Sequence, residues 1–239
     1  SPYGTIVSLS ESPIDSNFIA VGTDDGLIQI TKNGGQNWTK IDNIKGVPDL
    51  SYTNSIYLSK HDVNVMYVAF NHHKYGDFKP YIFKTSDQGE TWKSISNNLP
   101  ERGSVYSIEE DHVNKDLIFC GTEFGVFFSP NSGERWKELG NGLPTIAVRD
   151  IAIQERENDL VLGTFGRGFY VLDDYSSLRS INDYYSFSNS NIFNVRDPLM
   201  WEKSMPLGLP GKAFQGDNFY SATNLGPVAM ITYYHNDNF

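Results

Sequence analysis

The sequence predicts an all-β chain of repeated four-stranded antiparallel blades, the architecture of a β-propeller, and three observations carry that expectation. An octapeptide recurs three times without gaps. A second short motif, x-Gly-Thr followed by a turn and an alternating strand, also recurs three times. No helical period persists for two turns, while 14 Tyr, 15 Phe and 21 Gly in 239 residues suit β structure with many turns.

The octapeptides begin at residues 31, 85 and 129 and share the pattern [ST]-x-[DN]-x-G-x-x-W. Thr31, Asn33, Gly35 and Trp38 hold its fixed positions in the first copy, and Thr85, Asp87, Gly89 and Trp92 in the second. Ser129, Asn131, Gly133 and Trp136 hold them in the third. The Asp or Asn side chain suits bonding to N–H groups of its own turn, and Gly permits positive φ. The Trp supplies a large apolar area to pack between neighbouring sheets. The box is a turn device with no catalytic role.

Ahead of the first box, Val21-Gly22-Thr23-Asp24-Asp25-Gly26 leads into Leu27-Ile28-Gln29-Ile30. Ahead of the third, Cys120-Gly121-Thr122-Glu123-Phe124-Gly125 leads into Val126-Phe127-Phe128. Leu162-Gly163-Thr164-Phe165-Gly166-Arg167-Gly168 leads into Phe169-Tyr170-Val171-Leu172, with no box after it. The second unit replaces the short turn with a loop from Asn71 to Lys79, which accounts for its length. Strands are expected at 5–10, 18–22, 27–31 and 37–41, then 55–59, 65–70, 81–85 and 91–95. The third unit has them at 105–109, 117–121, 126–129 and 135–139, and the fourth at 148–153, 160–163 and 169–172. Four-stranded units at about 40–50 residues read as propeller blades. They span about 1–45, 46–98, 99–142 and 143–178. Residues 179–239 form an irregular tail with isolated strands at 192–195 and 228–234, which lies against the rim or opens a following β-sandwich.

Charge and composition exclude several functions. There are 19 Lys and Arg against 29 Asp and Glu, a net charge of −10. That argues against nucleic acid and anionic lipid as partners. No apolar run approaches the roughly 18 residues of a membrane helix, so direct membrane insertion is not expected. The lone Cys120 excludes a disulfide framework or a cysteine-based zinc site and reads as a buried small hydrophobe. No metal or other cofactor is expected. The chain opens on Ser1-Pro2-Tyr3-Gly4, without initiator Met or signal peptide, as if cut from a longer protein.

At the boxes, and at Tyr3-Gly4-Thr5-Ile6, Asp77-Phe78-Lys79-Pro80-Tyr81 and Gly166 to Asp174, the sequence resembles the Asp-box, or BNR-repeat, propellers. That family includes sialidases, some glycoside hydrolases and the Vps10/sortilin group. Within it the likeness is to secreted bacterial proteins of the sortilin-like or "glycosyl hydrolase, BNR repeat" type. It covers roughly residues 3–178, with a weaker likeness from Gly216-Asp217-Asn218-Phe219-Tyr220 to Tyr234. The resemblance implies that the boxes lie opposite the ligand face. The turns between second and third strands and the linkers between blades then form that face. It also implies an extracellular or cell-surface bacterial location, and the boxless fourth unit implies the last four blades of a larger, seven- or eight-bladed ring.

On the implied ligand face stand Asp24 and Asp25 of the first blade and His72, His73, Tyr75 and Asp77 of the second. Glu123 comes from the third and Arg167 from the fourth. A glycosidase needs two carboxylates roughly 5–10 Å apart, which Asp24, Asp77 and Glu123 could supply; ordinary polar hairpin turns explain them as well. His72, His73 and Asp77 have metal-ligating chemistry, but neighbouring side chains of an extended segment point apart, which favours an exposed loop. Arg167 between two glycines suits carboxylate recognition or a turn, and Arg149-Asp150 reads as an ion pair near the inner strand. Asn37-Trp38-Thr39 matches a glycosylation acceptor but lies inside a box. The Arg-Ile-Pro motif of sialidases is absent from the chain. The expected function is non-catalytic binding or scaffolding toward protein, peptide or glycan; glycoside hydrolysis is the alternative.

Overall fold

The computed structural model describes residues 4–181, 190–198, 200, 202 and 226–235. The chain divides into two compact units, Ser1–Tyr184 and Tyr185–Phe239.

The first unit is a row of antiparallel sheets, and the chain folds as β-propeller blades. Blade one contains β1 (Ile6–Glu11), β2 (Ile19–Thr23), β3 (Ile28–Thr31) and β4 (Thr39–Ile41). Blade two contains β5 (Tyr52–Leu58), β6 (Met66–His72), β7 (Asp77–Thr85) and β8 (Lys93–Ser94). Blade three contains β9 (Val105–Glu110), β10 (Ile118–Thr122), β11 (Gly125–Ser129) and β12 (Lys137–Glu138). Blade four has β13 (Val148–Gln154), β14 (Asp159–Thr164) and β15 (Phe169–Leu172), and its sheet has three strands. Each sheet keeps sequence order from inner to outer strand. Helical structure among the described residues is confined to two 3₁₀ segments, His73–Tyr75 and Tyr175–Ser180.

One expectation fails. The loop from Asn71 to Lys79 is a lengthened hairpin: β6 runs on to His72, β7 starts at Asp77, and the two residues pair across it. Asn71, His72 and Asp77 have little strand propensity. Tertiary contacts hold them instead. The His72 ring stacks on Tyr75 at 4.4 Å and its Nδ1 lies 3.2 Å from Ser51 Oγ.

The core lies between blades. Residues alternate faces along a strand, so Met66, Val68 and Phe70 of β6 pack toward blade one, while Tyr67 and Ala69 pack toward blade three. Blades two and three are thereby buried on both faces. Blades one and four are each covered on one face within this unit. That is why Leu9 and Phe169 stand 64 % and 80 % exposed.

The boxes fold alike. Thr31 Oγ1 accepts from Gly35 N and Asn33 Oδ1 accepts from Asn37 N, both at 2.9 Å. Thr85 and Asp87 repeat this with Gly89 and Thr91, and Ser129 and Asn131 with Gly133 and Arg135. Gly35, Gly89 and Gly133 have φ of 90°, 91° and 89°, a conformation open to glycine. The second and third boxes dock on the blade before them, Gly89 against Ile30 and Ile41 and Gly133 against Ile95. Trp136 is buried and donates from Nε1 to Ile95 O at 2.7 Å, and half-buried Trp92 packs on the core shared with blade one. Trp38 is 42 % exposed, because no blade precedes it in this chain.

The x-Gly-Thr motif has an equally local cause. Thr122 Oγ1 and Thr164 Oγ1 close their hairpins by donating to Gly125 O and Gly168 O. A Cβ on Gly121 would lie 2.6 Å from Val148 O of the next blade, so only glycine lets the strands approach.

At the box end, Asp111 is wholly buried and accepts from Arg179 Nε and Nη2, each at 2.8 Å, and from Tyr175 OH at 2.5 Å. Burial opposes ionisation of Asp111, but these bonds prevail and hold its carboxyl below the ordinary value. The cluster pins the segment after β15 to blade three. Cys120 is buried, and burial pushes its thiol pKa up.

In the second unit, β16 (Asn191–Ile192) pairs antiparallel with β17 (Tyr233–Tyr234), so these segments pair with each other where isolated strands were expected. The motif Gly216-Asp217-Asn218-Phe219-Tyr220 and most of 180–191 lie outside the described residues.

Candidate functional site

In a meander of four antiparallel strands, the turn between second and third strands and the exit linker share one end, and the box lies at the other. Asp24, Asp25, the 71–79 hairpin, Glu123 and Arg167 therefore all sit at the turn-and-linker end.

Most of the acids there are engaged as hydrogen-bond acceptors. Asp24 Oδ1 accepts from Gly4 N at 2.9 Å and Thr5 N at 3.0 Å, and the Gly4 bond foremost lowers its pKa. Asp25 Oδ1 accepts from Thr23 Oγ1 at 2.5 Å. Asp77 Oδ2 accepts from Tyr81 OH at 2.6 Å and Oδ1 from Lys79 N at 3.1 Å; the Tyr81 bond foremost holds its carboxyl below the usual range. Glu123 is half-buried, and its backbone N–H donates to Ser104 O at 3.0 Å. Arg167 is exposed between Gly166 and Gly168, whose φ are 82° and 72°. His72 and Tyr75 stack, as described, and His73 is exposed at the hairpin tip beside Lys74, whose Nζ lies 5.8 Å from the Tyr52 ring centroid.

Two hollows open at this end, in corresponding places of successive blades: between the second-to-third-strand turn and the exit linker. In blade one a hollow of about 400 Å³ is bounded by Asp25 and Leu27 on the turn and by Asn43, Pro48 and Leu50 on the linker. In blade two the corresponding groove reaches about 820 Å³, with Phe78 and Tyr81 on the lengthened hairpin and Ser96, Leu99 and Arg102 opposite. That volume is within the range of ligand pockets. Asp25 lines the first and Asp77 the second; Asp24, Glu123 and Arg167 line neither. The expected carboxylates are thus dispersed over separate turns and hollows. No group of three or more His, Cys, Asp or Glu among the described residues is placed to hold a metal ion.

Two features were absent from the sequence reading. The first is a β-bulge at one place in every inner strand: the register shifts between Ile6 and Ser8, Thr53 and Ser55, Val105 and Ser107, and Val148 and Asp150. The extra residues are Val7, Asn54, Tyr106 and Arg149, and bulges re-aim side chains. Asn54 Nδ2 donates to Val105 O of the next blade at 2.6 Å. The Arg149 guanidinium lies 3.8 Å from the Tyr106 ring centroid and 5.3 Å from that of Phe165. This corrects the expected Arg149–Asp150 ion pair: Asp150 Oδ1 instead accepts from Ile151 N. The second is Arg102, stacked 5.2 Å from the Phe78 centroid beside the larger groove.

No family model matches the sequence, and no curated protein matches it. Solved structures do match. An ancestral GH74 enzyme superposes with a TM-score of 0.55 at 20 % identity, over 68 % of this chain and 22 % of its own. YCF48 bound to D1 peptide matches with a TM-score of 0.55 at 17 % identity, over 73 % and 56 %. The extracellular domain of the B. thetaiotaomicron protein BT4673 matches with a TM-score of 0.54 at 18 % identity, over 74 % and 22 %. A β-propeller domain from Cps50 (Swd1) is a further match. The chain spans between about a fifth and just over half of the length of these structures. At such identities the likeness shows the fold. The propeller neighbours thus include GH74 enzymes, a peptide-bound protein and an extracellular domain.

Proposed function

We propose that this chain is a non-catalytic binding or scaffold part of a β-propeller, recognising protein, peptide or glycan at its turn-and-linker end. The observation that carries the reading is the state of the carboxylates. Asp24 caps the backbone N–H groups of Gly4 and Thr5, and Asp25 and Asp77 accept from the hydroxyls of Thr23 and Tyr81, so the turn acid that faces Asp42 and Asp49 in the first hollow, or Glu101 in the second, is already engaged. A glycosidase needs two across a shared cleft. The peptide-bound YCF48 structure shows a propeller neighbour with a peptide ligand, which supports the binding reading by analogy of fold alone.

The Asp-box, sortilin-like character is part of the same proposal, supported by the three identically folded boxes. So is the placement of the parent protein at the cell surface or outside it, which the extracellular BT4673 match supports. No helix among the described residues is long and apolar enough to cross a membrane. Residues 1–178 are proposed as four consecutive blades of a larger ring, with 179–239 as the segment that follows.

Incubating the 239-residue chain with a broad glycan panel and assaying new reducing ends tests the reading. No hydrolysis is expected. Hydrolysis that Glu123→Gln or Asp24→Asn abolishes would establish the glycosidase instead.

A further inference from the structure

A departure of this chain from its own repeat builds its larger groove. The lengthened β6–β7 hairpin adds Phe78 and Tyr81 beneath its tip, and the hollow doubles in volume relative to its counterpart in blade one. We propose that this groove docks a peptide segment of a protein partner. A large apolar side chain would rest on Phe78 and Tyr81, and an acidic neighbour would meet Arg102. The inference rests on the binding reading above and names the partner's chemistry.

The chemistry of the walls selects an apolar anchor over a sugar. The uncharged polar side chains Tyr81, Ser96 and Asn97 within the groove are already engaged. Tyr81 OH bonds Asp77, Ser96 Oγ bonds Pro80 O at 2.8 Å and Ile82 N at 3.2 Å, and Asn97 Nδ2 donates to Gly133 O at 2.7 Å. A sugar ring asks for several free donors and acceptors, whereas an apolar side chain asks only for surface to leave water. Phe78 and Tyr81 are half-buried and keep part of their surface open to the groove.

The rim selects the flanking charge. Arg102 stacks on Phe78, and neither it nor Lys79 forms an ion pair among the described residues. Asp77 keeps its charge while accepting from Tyr81 OH and Lys79 N and attracts Lys79, which leaves Arg102, near exposed Glu101, as the cation set on the aromatic floor. On a chain of net charge −10, a cation stacked on the apolar floor suits a partner that pairs an apolar residue with an acidic one.

Strand addition is blocked. Pro80 has no N–H to offer, and Phe78 O already accepts from Gly103 N at 2.8 Å. Recognition must therefore use side chains.

The test pans a phage library of random heptapeptides on the immobilised 239-residue chain, then measures the consensus peptide by fluorescence anisotropy. Expected is a consensus joining an aromatic or large aliphatic residue to Asp or Glu, with affinity reduced tenfold or more by Phe78→Ala. Arg102→Glu, a change at an exposed side chain, should weaken the same peptide and favour its Lys-substituted version. Melting temperatures of both variants serve as the folding control. If Phe78→Ala lowers its melting temperature, the Arg102→Glu charge swap decides alone. The proposal is overturned if no consensus emerges, if binding ignores the substitutions, or if a β-glucan oligosaccharide binds in a Phe78-dependent way and peptides do not. Hydrolysis in the glycan panel overturns the binding-only reading separately, and the peptide result does not affect that outcome.

Discussion

Asp87 differs from Asn33 and Asn131 at the same box position in one respect, its charge. Its carboxylate accepts from Thr85 Oγ1 at 2.6 Å, Thr91 N at 2.8 Å and Thr91 Oγ1 at 2.5 Å. These bonds, led by that from Thr85, hold its pKa at about 2 against an ordinary 3.8. A carboxylate with a depressed folded-state pKa adds stability that is present above the ordinary value and fades as pH falls toward the folded one. The second box should therefore loosen between about pH 4 and pH 2, while the Asn boxes do not respond. A carboxyl carbon titration by NMR should place the Asp87 midpoint near 2. Acid unfolding of Asp87→Asn should be less steep than that of the native chain over the same window. Equal steepness would show that the box bonds give the charge no advantage.

At the scale of the element, the box is a coupling between blades as well as a turn. Trp136, buried and bonded to Ile95 O, joins blade three to blade two. Trp38 occupies the same position and meets solvent. Trp136→Ala should destabilise the chain by about 3–5 kcal/mol, the usual range for a buried aromatic, and Trp38→Ala by no more than about 0.5 kcal/mol. Urea unfolding of the two variants checks this; equal losses would mean that Trp38 is covered in solution. The blades were legible in the sequence because box, x-Gly-Thr turn and alternating strand each have a local physical cause that one sequence displays. The hairpin extension was not, since Asn71, His72 and Asp77 hold strand geometry through contacts with Asn54, Ser51, Tyr75 and Tyr81. The Tyr106–Arg149–Phe165 stack was hidden for another reason. It depends on two blades meeting and on a bulge that shifts which side chain points where.

At the largest scale, the first unit is a row of blades with two unlike ends. At one end Ile6, Leu9 and Trp38 are exposed; at the other, Phe169 and Val171. The matching positions of blades two and three are filled by a neighbour, so these surfaces have the chemistry of an interrupted core. In isolation the 239-residue chain should self-associate with rising concentration, as large exposed apolar patches do. Light scattering after size exclusion should show the average mass climb, and Leu9→Lys with Phe169→Lys should lower it. A concentration-independent monomer mass would show that those ends are covered by other means.

The position of the hairpin tips, beyond the last residues that pack between blades, separates the part of the chain that folds from the part that can change. Lengthening a surface loop is inexpensive, with each doubling adding only about 0.6 kcal/mol of closure entropy. The 71–79 hairpin shows one such extension leaving the three interblade cores in place. Each blade thus carries an independently adjustable tip on a common frame. Recognition can diverge one blade at a time, without renegotiating the packing that keeps the row together.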